Sequence, residues 1–100
     1  MPERPSTVRV DASSIQGKGA YLIWKRLTWG ERKANYEPIE LLIAHIVDWN
    51  WVDGDGNPLP LPKSQEDFEA LYDEEIVFLA DVGKKALQGR LEFTLEVEKN

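Results

Sequence analysis

The stretch PIELLIAHIVDW, Pro38 to Trp49, constrains the fold of this chain more than any other. Ile39, Leu42, Ile43, Ile46 and Trp49 recur at steps of three and four, while Glu40, His45 and Asp48 fall off that stripe. The spacing predicts an amphipathic helix with one face that must be buried. Pro38 fits the first helical turn, where its missing N–H is not needed. It also disfavours the α conformation at Glu37, so a preceding helix stops there. A helix of this kind needs an apolar surface to lie on, and its neighbours in the chain decide which.

Upstream the period changes from 3.6 to 2. Thr7 to Asp11 alternates apolar and polar residues, and Ala20 to Leu27 reads as a second strand, with the glycine- and serine-rich stretch Ser13 to Gly19 as a loop between them. Consecutive strands usually pair, so a β-hairpin is expected over 7–27. Thr28 and Glu31 form a T-x-x-E capping box that should open a short helix from Trp29 to about Tyr36. Ser64 with Asp67 supplies another N-cap, and Phe68, Leu71 and Tyr72 share a face. Asp73-Glu74-Glu75 and Lys84-Lys85 suit the two ends of a last helix. Its expected buried stripe is Ile76, Leu79, Ala80, Gly83, Ala86 and Leu87, closed by Gly89 as a C′ residue. The pattern leaves open whether 65–88 is one bent helix or two. Leu91, Phe93, Leu95 and Val97 alternate with polar residues as a closing strand. The fold class is therefore α+β: a small antiparallel sheet of about three strands, the hairpin plus the C-terminal strand, packed against two to three helices in the order ββααβ or ββαααβ.

One hundred residues make one domain, 1–100, with Met1 to Ser6 as a loose polar arm. Twelve Lys and Arg against eighteen Asp and Glu leave a net charge of −6, and the one local basic cluster is interrupted by Glu31. Such a chain repels phosphate backbones, so nucleic acid is not an expected partner. With no cysteine, there is no disulfide framework, thiolate metal site or cysteine nucleophile. MPERPSTVRV lacks an apolar signal core, and no apolar run approaches the roughly 18 residues of a membrane span, so a cytoplasmic protein without a membrane partner is expected.

WNWVDGDGNPLPLP, residues 49–62, most looks like a site. Read as a calcium loop from Asp53, it places Asp53, Asp55 and Asn57 at the first, third and fifth ligand positions. The sixth position, normally glycine, is Pro58, and the twelfth, normally glutamate, is Ser64. Proline cannot take the left-handed conformation needed there, and serine cannot ligate through a carboxylate. A tight Asp-Gly turn, followed by a proline-held extended segment that shows Leu59 and Leu61 on one side, fits better. His45 has Asp48 at i+3, a pair that could tune a general base, but no nucleophile motif or second histidine accompanies it. A rim histidine is the expectation. No catalytic residue, cofactor or metal is assigned. Four tryptophans in so short a chain are unusual. Trp24, Trp29, Trp49 and Trp51 serve a small core, while tryptophan is also enriched at binding hot spots. The candidate partner-binding residues are Trp29, Trp51, Leu59 and Leu61.

KRLTWGERKANYE, residues 25–37, and DWNWVDGDGNPLPLP, residues 48–62, resemble the core of the small tail assembly chaperones of long-tailed bacteriophages, a likeness that spans about residues 20–88. In that family a strand ending in a basic-aliphatic-Thr-aromatic-Gly-Glu segment enters a helix, and a Trp-containing helix end runs into an acidic Asp-Gly turn. The resemblance implies a non-enzymatic protein that coats the apolar helical tape measure protein, helps deliver tail tube subunits and self-associates as a homo-oligomer. The closing strand at 90–97 departs from the family pattern and points to the alternative of a virion structural or connector protein. A small calcium- or ligand-binding module on Asp53 to Asn57 is the third reading.

Overall fold

The alternation in Thr7–Asp11 (β1) and the apolar run Tyr21–Lys25 (β2) pair as an antiparallel hairpin, with Val8 opposite Trp24 and Val10 opposite Leu22. This is the arrangement in the computed structural model, which describes residues 6–33 and 37–88. Ser13–Gln16 between the strands forms one turn of helix (α1) where a plain loop was expected. The Asp11 carboxylate starts that turn by accepting the Ser13 N–H and hydroxyl. Thr28 and Glu31 exchange both bonds of their capping box, at 2.9 and 3.1 Å, and open the short helix Trp29–Lys33 (α2). The expected extension of α2 to Tyr36 lies outside the described residues.

The helix begun by Pro38 ends sooner than its stripe predicts. It spans Pro38–His45 (α3), and Ile46–Trp49 continues as a third strand (β3) against β2. Ile46 takes an extended backbone while its N–H still closes the last helical turn on the Leu42 carbonyl. The β-branched pair Ile46-Val47 favours this switch. Both Ile46 and Trp49 are buried, three residues apart, because the ladder slips at Ile23/Trp24 and an extra residue bulges between them. A bulged strand thus reproduces helical spacing.

Among the described residues the architecture is α+β with a three-stranded antiparallel sheet in the order β1-β2-β3. Its third strand is 46–49; the strand expected at 90–97 lies outside the described residues. Residues 65–88 form two helices, a 3₁₀ segment Gln65–Ala70 and Asp73–Leu87 (α4). Asp67 caps the first by accepting the Lys63 and Ser64 N–H groups, and Glu75 caps α4 by accepting the Tyr72 N–H at 2.9 Å. Phe68 is buried as expected, whereas Tyr72 turns outward over Gly54.

The core joins the inward side chains of the sheet (Val8, Leu22, Trp24, Ile46) to Leu41 and Leu42 of α3 and Leu79, Val82 and Ala86 of α4. Gln16 ties distant parts of the chain together. Its side chain donates to and accepts from the Val52 backbone, at 3.0 and 2.8 Å, and also donates to the Glu75 carboxylate, which is only 4% exposed.

Candidate functional site

The four residues picked out as partner contacts do not form one surface. Trp51 is 1% exposed and stacks on Trp49, with ring centres 4.4 Å apart and planes 8° from parallel. It belongs to the core and has no surface to offer a partner. Leu59 and Leu61 are partly buried against the same core. The Leu59 carbonyl accepts the Trp49 indole N–H at 2.9 Å, and the Leu59 N–H bonds the Trp51 carbonyl. The Leu59 backbone therefore ties the two tryptophans to the proline-flanked segment. Trp29 is 68% exposed, beside an open depression of about 520 Å³ shared with Lys25, Arg26, Leu27, Thr28 and Glu31.

The acidic stretch is a turn closed on itself. Asp53 accepts the backbone N–H groups of Asn57 and Asp55 at 3.0 and 2.8 Å, and these bonds hold its carboxyl below the usual carboxylate range. Gly56 supplies the left-handed residue, with φ +86°, and Val52 bridges Pro58 across the turn. One Asp53 oxygen is committed to both donors. Among the described residues no group of three or more His, Asp or Glu side chains could hold a metal ion.

His45 is not a rim residue. It is 2% exposed, stacks on Trp24 at 5.4 Å, and its Nδ1 bonds the Lys25 carbonyl at 2.8 Å. The helix ends at His45, so the i+3 spacing to Asp48 does not place the two residues on one helical face. Asp48 is exposed on β3 and its carboxylate accepts the Trp49 N–H.

A groove between α3 and α4 is the more telling feature. It encloses about 370 Å³ between Pro38, Leu41 and Leu42 on one side and Ala80, Gly83 and Leu87 on the other, with Lys84 also lining it. Its existence follows from how α4 is turned. The expected inward stripe included Ala80 and Leu87, but Glu75 and Val82 take the inward positions beside Leu79, Gly83 and Ala86. Ala80 and Leu87 are left exposed. Together with Val77, which is 68% exposed, and Lys84, they form a second stripe at spacings of three, four and three. That spacing places all four on one side of a helix and matches the seam by which helices pack on each other. Gly83 leaves the floor low, since a β-carbon there would sit 3.4 Å from Leu41 Cδ2 and 3.5 Å from Leu42 Cδ2. The groove can take one or two large apolar side chains projected from a partner helix.

Val77, Ala80, Lys84 and Leu87 stand out once α4 is seen to carry more apolar residues than a single buried face needs. No helix among the described residues is long and apolar enough to cross a membrane. Comparison with known protein families, characterised proteins and solved structures finds no match to this chain.

Proposed function

We propose that this protein is a non-enzymatic chaperone that shields an apolar helical client in the groove between α3 and α4, in the manner of the phage tail assembly chaperones its motifs resemble. The carrying observation is the second apolar stripe of α4, with its exposed Val77 and Leu87, beside the hollow over Gly83. An amphipathic helix laid in such a groove buries its anchors at helical intervals, which is the chemistry that keeping a long apolar helix soluble requires. The tape measure protein is the client the resemblance implies, with tail tube subunits as further partners. The net charge of −6 would keep a crowded coat of such complexes dispersed.

The test is co-expression with the tape measure protein of the same genome. This chain should move that protein into the soluble fraction and co-purify with it. The pair Ala80→Glu and Leu87→Glu, both at exposed positions, should abolish the effect while the melting curve stays close to that of the parent. A client that is equally insoluble with and without the chaperone contradicts the proposal. Mass spectrometry of purified particles distinguishes it from a connector protein retained in the virion.

A further inference from the structure

We infer that the helix received by the α3–α4 groove carries a carboxylate opposite Lys84, within one turn of the large apolar side chain that sits over Ala80 and Gly83; this rests on the groove being the client site. Lys84 and Lys85 are adjacent in the last turn of α4, where either charge complements the helix dipole, yet they are placed differently. Lys85 pairs with Asp81 at 3.2 Å. Lys84 lines the groove and, among the described residues, makes no ion pair.

In the free protein this costs nothing, because water solvates the ammonium. A seated apolar helix removes that water from the lysine stem. An ammonium left buried without a partner is strongly unfavourable, so it must either reach past the ligand to solvent or meet an anion. Gln88 aside, the other described residues lining the groove are apolar and none of them supplies that anion; in the proposed complex the partner helix does. Position fixes where. Lys84 follows Ala80 by one turn and adjoins Gly83, so an acid three or four residues from the apolar anchor reaches it. A charge in this place sets specificity, because it discriminates against helices carrying a cation at the same position.

The experiment uses the full chain and labelled helical peptides with leucines at steps of three and four. The peptides are identical except for Glu, Gln or Lys one turn from the central leucine. By fluorescence anisotropy the parent should bind the Glu peptide roughly fivefold more tightly than Gln, and Lys most weakly. Lys84→Glu should reverse the order, and Lys84→Met should bind all three alike. Circular dichroism melts confirm that these surface variants fold. Binding with the same order in the parent and in Lys84→Glu overturns the inference while leaving the groove as the site. Absence of binding by every peptide overturns both.

Discussion

Replacing Gln16 by alanine tests how the pieces around the site are held. The Gln16 side chain spans 36 residues to Val52 and 59 to Glu75, so it closes two long loops at once. Two of its bonds go to the exposed backbone of Val52 and contribute at the low end for neutral hydrogen bonds, about 0.5 kcal/mol each. The third goes to a carboxylate that is 4% exposed, and a bond to a charged, desolvated group contributes about 1.5–3 kcal/mol. Gln16→Ala should therefore cost roughly 2.5–4 kcal/mol. For a domain of this length that lowers the melting temperature by about 10–30 °C. Urea unfolding followed by tryptophan fluorescence measures it, with the midpoint falling and the slope unchanged. Gln16→Glu should be worse, because a carboxylate in place of the amide has no N–H to donate to Glu75. A loss below about 0.5 kcal/mol for the alanine variant would refute the claim that this side chain organises the turn and α4.

Three further outcomes follow from the same geometry. Trp49→Phe should cost about 1–2 kcal/mol more than Trp51→Phe by denaturant titration, because Trp49 donates to Leu59 whereas the buried Trp51 indole N–H has no partner among the described residues; equal losses would contradict this. Gly83→Ala should stabilise the fold by about 0.5–1 kcal/mol, since alanine favours helix and its methyl meets Leu41 and Leu42 at ordinary contact distance; a lowered melting temperature would show the floor to be tighter. Glu31, held low by the Thr28 N–H, and Asp53, held low by the Asn57 and Asp55 N–H groups, both stabilise the fold above their unfolded values. That contribution is lost as pH falls through the lowered native values, below the ordinary carboxylate range. The double variant Glu31→Gln, Asp53→Asn should be less stable at pH 7 and lose less on acidification. An unchanged pH slope would count against it.

Local chemistry was the most legible part of the fold. Thr28 with Glu31, Ser64 with Asp67, the Asp53–Asn57 turn and the Asp73–Glu75 helix start all depend on neighbours in sequence, and each is where its residues place it. The misreadings share one cause, which is that neither periodicity nor local residue type knows about tertiary contacts. Ile46 and Trp49 look helical because a bulge makes three residues of strand do the work of two. His45 looked like a rim residue because imidazole is polar, but Trp24 and the Lys25 carbonyl satisfy it inside. Trp51 looked available because it precedes an acidic turn, yet the turn folds it inward under Leu59. The groove escaped because Ala80 and Leu87 fit an inward stripe as well as an outward one. Only the packing of α4 on α3 decides between them.

The most direct test of the helix-binding account is site-specific photocrosslinking. A benzophenone side chain is placed singly at Ala80, Leu87, Asp55 or Trp29 in a complex with the soluble client. Adducts to an apolar helical segment should form from Ala80 and Leu87, weaken when Lys84 is changed to Glu, and be absent from Asp55. Efficient crosslinks from Asp55 or Trp29, with none from Ala80 and Leu87, would place the client elsewhere and end the account.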